Sequence, residues 1–150
     1  MKQVKVAIIG DGGCGKTTFV TYLKTKYFEK KYVPTIGVDV VPYLVPDTNI
    51  ALNFWDTAGQ DKFALGRDLY CKQAGIILAM YSLDIKKSFM KVVKEVNYLK
   101  EKYGINVPVI MVGTKSDLYN APIPQGLNVI SSKLGTGFDE VINKIVEKIN

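Results

Sequence analysis

A glycine-rich stretch near the N-terminus reads Gly10-Asp11-Gly12-Gly13-Cys14-Gly15-Lys16-Thr17, in the pattern G-x-x-x-x-G-K-T. An apolar run, Val4–Ile9, comes before it, and a helix-like pattern, Thr17–Leu23, comes after it. Glycines let backbone N–H groups wrap an anion, and the N-terminus of the following helix adds the positive end of its dipole. This strand–loop–helix order is the one that a phosphate-binding loop requires, whereas the alternative is an ordinary glycine-rich turn.

Two side chains at the end of this stretch carry the chemistry that we expect of it. Lys16 supplies a point charge that can reach the β- and γ-phosphates of a nucleotide, and Thr17 supplies a hydroxyl for Mg²⁺. The candidate phosphate-binding residues are Gly10, Asp11, Gly12, Gly13, Cys14, Gly15, Lys16, Thr17 and Thr18.

Length and composition indicate one ordinary globular domain. The chain has 150 residues, of which 47% are hydrophobic and 23% charged, and this is enough for a sizeable core. Its two cysteines, Cys14 and Cys71, form no disulfide framework. We see no signal peptide, no apolar run of membrane-spanning length and no C-terminal prenylation motif. We therefore expect an intracellular protein of the cytoplasm or nucleus, without a membrane anchor.

The net charge of +6 comes almost entirely from lysines, since Arg67 is the only arginine. The lysines are concentrated in two groups, at 24–31 and 86–102. Nucleic-acid binding would explain such groups, but no aromatic RNA-binding motif, zinc site or zipper accompanies them. We favour a solvated basic surface that faces an acidic protein, and we expect no nucleic-acid partner.

Apolar runs predict six strands, at residues 3–9, 38–45, 50–56, 75–81, 107–113 and 127–130. The turn sequence Pro46-Asp47-Thr48-Asn49 predicts that the second and third strands form an antiparallel hairpin. The fourth and fifth runs are apolar throughout, as buried parallel strands are.

Two helices are predicted in the second half of the chain. In the first, apolar residues recur at helical spacing from Ile85 to Tyr103, Asp84 is placed to cap the start, and Gly104 follows the end. The second opens with a capping-box-like Thr136-Gly137-Phe138-Asp139 and is expected to bury Phe138, Val141, Ile142, Ile145 and Ile149.

Strands that alternate with helices predict a doubly wound α/β domain. We expect a six-stranded, mostly parallel sheet with one antiparallel strand and with helices on both faces. Ligands of such sheets bind beyond the carboxyl ends of the strands, which is where the glycine-rich stretch falls.

A second motif, Trp55-Asp56-Thr57-Ala58-Gly59-Gln60, has the pattern D-x-x-G at the end of a predicted strand. Asp56 is placed to hold Mg²⁺ through its water shell, and the N–H of Gly59 can approach a γ-phosphate because no Cβ blocks it. Gln60 could orient an attacking water. A strand end that enters a turn is the alternative, and Trp55 is expected to be a core residue.

Thr35 forms a third and weaker signal, in the polar loop Tyr32–Gly37. Its hydroxyl could complete the coordination of Mg²⁺ when a γ-phosphate is present.

A fourth motif, Gly113-Thr114-Lys115-Ser116-Asp117, follows a predicted buried strand. The Asp117 carboxylate could accept two hydrogen bonds from guanine, and adenine lacks both donors, so adenine would leave these acceptors unpaired. The stem of Lys115 could cover one face of the base. Residues Ser131, Ser132 and Lys133 could add a hydroxyl to Asp117 and a backbone N–H to the base, although such a serine loop alone is a common surface feature.

Together these motifs resemble those of the Ras-superfamily small GTPases along the whole chain. The segments G-D-G-G-x-G-K-T-T-F-V, F-E-K-K-Y-V-x-T-x-G-V-x-V and W-D-T-A-G-Q-x-K-F are more similar to the Ran branch than to Ras, Rab or Rho. The resemblance implies a G domain in which Phe28 stacks on the guanine, Tyr32–Gly37 is switch I and residues 57–67 are switch II. Thr114, Lys115, Ser132 and Lys133 match the base-binding positions.

Several features depart from the family pattern. Thr114 stands where asparagine is common, as in Rho-like members, and Ser132 replaces the usual alanine. Residues 118–126 are too few for the helix that normally lies there, and we expect an extended loop instead. We also expect no acidic C-terminal tail of the Ran kind, and this puts full Ran function in doubt.

The resemblance implies a molecular switch that binds GTP and GDP and hydrolyses GTP with Mg²⁺, with Gln60 and Lys16 as the catalytic residues. Effectors, exchange factors and GTPase-activating proteins that read the switches would be its partners, of the nuclear-transport type, and the chain would be a monomer. One alternative is a Ran-mimicking interaction protein that does not cycle. Another is a P-loop ATPase or kinase, which Asp117 disfavours.

Overall fold

The computed structural model describes residues 1–10, 19, 31–33, 38–56, 71–116, 127–131 and 136–149. Within these ranges the elements are β1 (Lys2–Ile9), β2 (Lys31–Val33), β3 (Val38–Leu44), β4 (Ile50–Asp56), β5 (Ile76–Ser82), α1 (Lys86–Tyr103), β6 (Val109–Thr114), β7 (Asn128–Val129) and α2 (Phe138–Ile149). Phe19, Cys71 and Lys72 are also helical.

The described strands form one sheet in the order β2-β3-β4-β1-β5-β6-β7. Strand β3 is antiparallel to both of its neighbours, and the other pairs, from β4 through β1, β5 and β6 to β7, are parallel. All six predicted strands are present, and β3 is the one antiparallel strand. The additional strand β2 lies at the edge and has only three residues, too few for an alternating pattern to be recognised. The predicted doubly wound α/β sheet is confirmed.

Alternation along the central strand divides the core into two layers. Val4, Val6 and Ile8 of β1 pack in the layer that holds the buried face of α2, whereas Ala7 and Ile9 pack in the layer that holds the buried face of α1. Successive side chains of a strand point to opposite faces of its sheet, so the two described helices cover opposite faces, as predicted. Burial of each fully buried Ile or Leu side chain in these layers contributes about 1.5–3 kcal/mol to the free energy of unfolding.

The hairpin between β3 and β4 turns at the predicted residues. Thr48 organises the turn: its hydroxyl donates to the Val45 carbonyl at 2.8 Å, and it accepts from the N–H of Ile50 at 3.1 Å. Asp47 takes a positive φ of 61°, which aspartate tolerates better than most residues. The turn therefore closes through local hydrogen bonds.

Helix α1 confirms the predicted helix, with one correction. Its N-cap is Ile85, which makes no side-chain capping hydrogen bond, so the predicted capping role of Asp84 is wrong. Gly104 ends the helix at φ 62°, as predicted. The face against the sheet consists of Ser88, Val92, Val96 and Leu99. Ile85 and Phe89 are 49% and 42% exposed, because they lie at the edge of this face.

Helix α2 buries Phe138, Val141, Ile142 and Ile145 as predicted, and Ile149 packs half-buried against the same layer. The capping-box prediction is wrong, because Gly137 rather than Thr136 stands immediately before the first helical residue. Thr136 instead pairs with Ser131 in an isolated antiparallel bridge. The start of α2 is therefore defined by backbone pairing.

Two further expectations concern the rest of the chain. The expected loop at residues 118–126 lies outside the described residues and stays a prediction. Among the helices that the structure describes, none is long and apolar enough to cross a membrane.

Candidate functional site

The carboxyl ends of the parallel strands meet at one edge of the sheet, which we call the carboxyl edge. Ile8 is paired with Asp56 across β1 and β4, so Gly10, which follows β1, and Asp56, which ends β4, lie beside each other along this edge. Thr114 ends β6 at the same edge, and Ser131 follows β7. Residues from three of the four predicted motifs thus reach one edge, and Thr35, of the remaining motif, lies outside the described residues.

The structure describes Gly10, the first residue of the predicted phosphate-binding stretch, and Phe19, which follows it. Gly10 leaves β1 at φ 145°, a backbone conformation that favours glycine. Phe19 is helical and fully buried, with its ring stacked on Phe138 at 5.5 Å and edge-on to Phe54 at 5.7 Å between centroids. Phe19 is consequently anchored by aromatic packing to both β4 and α2.

Thr114 is tied to the sheet at the end of β6. It is buried, and its hydroxyl donates to the carbonyl oxygen of Tyr81 at 3.2 Å. Its own carbonyl accepts from the N–H of Leu83 at 3.1 Å. These bonds join the ends of β5 and β6. The contacts of Thr114 therefore hold the end of β6 in place.

Gly113 allows β5 and β6 to approach closely beside Thr114. A Cβ at this position would lie 2.9 Å from Leu83 Cγ and 3.2 Å from the Tyr81 hydroxyl oxygen. Real Cβ atoms are seldom that close to a neighbour, since interiors are tightly packed. The glycine in the motif therefore serves packing beneath the site.

Backbone hydrogen bonds join the chain on both sides of Lys115 to Ile130, which follows β7. The N–H of Ile130 donates to the Gly113 carbonyl at 2.8 Å, and the N–H of Ser116 donates to the Ile130 carbonyl at 3.1 Å. Between these contacts Lys115 takes a positive φ of 58°. The chain directly after β7 thus lies alongside residues 113–116, which belong to the motif that we predict to bind the base.

The base of the serine loop is closed by a short backbone bridge. Ser131 and Thr136 exchange two N–H to carbonyl hydrogen bonds, at 3.0 and 3.1 Å, and Ser131 is fully buried. Residues 132–135 span the bridge and lie outside the described residues. The two flanking residues fix where this loop leaves the sheet.

One positioning contact was missed in the sequence. The hydroxyl of Ser88, in the first turn of α1, accepts from the N–H of Ser82 at 2.8 Å, and both residues are buried. The contact holds the end of β5 against the start of α1. A serine on the otherwise apolar face of a helix was the available signal.

Trp55 follows its prediction as a packing residue. It is partly buried against the α1 layer, and the Lys5 ammonium lies 4.0 Å from the centroid of its ring.

Most of the predicted site residues lie outside the described ranges. They are Asp11, Gly12, Gly13, Cys14, Gly15, Lys16, Thr17, Thr18, Phe28, Thr35, Gly59, Gln60, Asp117, Ser132 and Lys133. Of Asp56 only the place in the strand is described. The predicted roles of these residues therefore stay predictions. The described residues show the strand ends that come before several of them in the sequence.

A comparison with known protein families agrees with this arrangement of motifs at the carboxyl edge. The sequence model of the Ras family matches residues 5–147. The matched range contains all of the predicted site residues and every element except the ends of β1 and α2.

Proposed function

Because this chain belongs to the Ras family, we propose that it is a switch that binds GTP and GDP, hydrolyses GTP with Mg²⁺ and changes its affinity for partners. Family membership supports a GTP-binding switch in general. The finer assignments, to particular residues, to the two switch segments and to a slow rate, are our proposal from the motifs.

The convergence of the motifs at the carboxyl edge carries this proposal. Gly10, Asp56, Thr114 and Ser131 stand far apart in the sequence but at ends of parallel strands in one sheet. Ligands of doubly wound folds bind beyond such ends. We propose that the residues that follow them in the sequence, including Lys16, bind a common ligand there.

The donor set fits Mg²⁺. Thr17, Thr35 and Asp56 offer two hydroxyls and a carboxylate, and hard oxygen donors of this kind suit that ion. When bound, Mg²⁺ neutralises charge on the β- and γ-phosphates. Lys16 and the backbone N–H groups of the loop would bind the same phosphates, and Gln60 would orient the attacking water.

Guanine selectivity is assigned to Asp117. Gly113 and Ser116, which precede it in the sequence, are hydrogen-bonded to Ile130, and this connection supports a preorganised base site. We expect Asp117→Asn to exchange an acceptor for a donor and to shift preference toward xanthine nucleotides.

Intrinsic hydrolysis is proposed to be slow. An arginine supplied within the chain beside the γ-phosphate would accelerate it, but the only arginine, Arg67, stands at the far end of the proposed switch II. Enzymes of this template lose about 10³–10⁵ in rate until an activating protein supplies that charge.

The Ran-like pathway rests on motif similarity alone. We propose that switch-reading effectors, exchange factors and activating proteins of the nuclear-transport type are partners, in the cytoplasm or nucleus. A helix before β7 is not expected, so a receptor that reads this helix should bind weakly.

Competition binding tests the nucleotide assignment. A fluorescent GDP analogue is bound to the full chain and displaced by GDP, GTP, ATP or xanthosine diphosphate. We expect GDP and GTP to displace it and ATP to fail. Asp117→Asn should favour the xanthine nucleotide. Equal displacement by ATP and GTP would contradict the proposal.

Single-turnover hydrolysis separates a cycling switch from an interaction protein that does not cycle. Gln60→Leu should bind GTP normally and hydrolyse it more slowly than the unchanged chain. If the unchanged chain binds GTP and its rate equals that of Gln60→Leu, the non-cycling alternative is favoured.

A further inference from the structure

The outer surface of α1 combines exposed apolar side chains with lysines. Among the described residues, the exposed large apolar side chains are Met1, Ile85, Phe89, Met90, Tyr98 and Leu127. Three of these lie in or directly before the first turns of α1. Met90 is the most exposed of the three, at 56%.

Met90 lies at the centre of a ring of positive charge. A shallow groove of about 370 Å³ is lined by Lys86, Lys87, Met90, Lys91 and Lys94. Residues three and four positions from Met90 are its neighbours on the helix surface, and Lys86, Lys87 and Lys94 occupy three of these places. We call this groove the α1 patch.

The lysines of the α1 patch oppose the dipole of their own helix. The first turn of α1 contains no acidic residue, although cations there are unfavourable. In α2 the charges follow the dipole, with Asp139 and Glu140 in the first turn and Lys148 in the last. Helix stability therefore does not account for the charges at the start of α1.

We propose that the α1 patch docks an acidic segment of another protein, with an apolar side chain of that segment seated on Met90 and carboxylates facing Lys86, Lys87 and Lys94. The flexible thioether of methionine adapts to different apolar partners. Charges at the rim set the orientation and the rate of association.

The geometry favours protein over a membrane or a nucleic acid. An in-plane membrane helix must offer its apolar face to lipid, whereas Val92, Val96 and Leu99 are buried against the sheet. Single-stranded nucleic acids stack on free aromatic rings, but Phe89 already packs edge-on against Tyr81, 5.0 Å between centroids. A methionine surrounded by lysines suits an apolar side chain flanked by carboxylates.

Titration with a defined peptide tests the α1 patch. The probe is a synthetic helical peptide in which leucine and phenylalanine on one side are flanked by glutamate and aspartate, and its control carries serine at the apolar positions. Amide chemical shifts of the ¹⁵N-labelled full chain, loaded with GDP, locate the binding. We expect saturable binding with shifts centred on residues 85–94, and weaker binding of the serine peptide.

Two charge-matched variants separate a site from general attraction. Lys87→Gln/Lys94→Gln should weaken binding of the peptide about tenfold, from the loss of two rim contacts. Lys100→Gln/Lys148→Gln removes the same charge from exposed positions outside the patch and should leave the affinity unchanged. Met90→Ser should also weaken binding of the peptide. The dependence of this binding on salt should stay the same, because the substitution removes no charge.

Three results would overturn the proposal. The two double variants could weaken binding of the peptide equally, or the peptide could fail to saturate the α1 patch. Phosphatidylserine vesicles or single-stranded DNA could also bind the α1 patch more tightly than the peptide does.

Discussion

At the scale of single residues, Gly113 shows how packing beneath the site restricts one position of a motif. Gly113→Ala would place a methyl group 2.9 Å from Leu83 Cγ, and we expect a loss of about 1–3 kcal/mol in the free energy of unfolding. Urea denaturation measures this loss. The double variant Gly113→Ala/Leu83→Ala should lose less than the sum of the two single variants, because the side chain that collides is removed. Strict additivity would show that the contact is not the cause.

Gly137 is a second position where only glycine fits, and Gly104 provides its control. Both have positive φ, 88° and 62°. Alanine at Gly104 meets nothing within 4 Å, so it should cost only the left-handed conformation, about 1–2 kcal/mol. Alanine at Gly137 would in addition collide with the Val129 carbonyl oxygen. We expect Gly137→Ala to be clearly the more destabilising in urea; equal losses would contradict the collision.

At the scale of elements, the charges of α1 predict a gain of stability by substitution. Lys86→Glu puts an acidic side chain in a first turn that has none, and we expect it to raise the free energy of unfolding by about 0.3–1 kcal/mol at low salt. Lys100→Glu makes the same change of charge in the last turn and should lower stability by a similar amount. Thermal unfolding at low and high salt measures both effects, which should shrink with salt. The same sign for both variants would argue against a dipole effect.

At the scale of the whole molecule, the nucleotide should stabilise the fold by mass action. With GDP and Mg²⁺ at about a thousand times the dissociation constant, the gain is about 4 kcal/mol, which for a domain of this size corresponds to a rise in Tm of roughly 10 °C. ADP with Mg²⁺ should give no rise, and removal of Mg²⁺ by a chelator should reduce the effect of GDP. Scanning calorimetry measures these shifts. An equal rise with ADP would contradict guanine selectivity.

Much of this architecture could be predicted because it depends on local patterns. The apolar runs of β5 and β6, the turn at Thr48 and the helical spacing of apolar residues in α2 each lie within one continuous stretch of sequence, and all were confirmed. The N-cap of α1 was predicted one residue too early. Asp84 has a side chain that commonly caps helices, but the N-cap is Ile85. Strand β2 was missed because three edge residues carry too little pattern.

The sequence by itself determined the sheet with its helices on both faces and the motifs that identify the Ras family, because hydrophobic periodicity and glycine placement act locally. Only the tertiary structure decided which residues support the site. The hydrogen bond of Thr114 to Tyr81, and the backbone hydrogen bonds of Ile130 to Gly113 and Ser116, join segments from different strands. Their partners are set by strand order and register, and no local pattern contains that information.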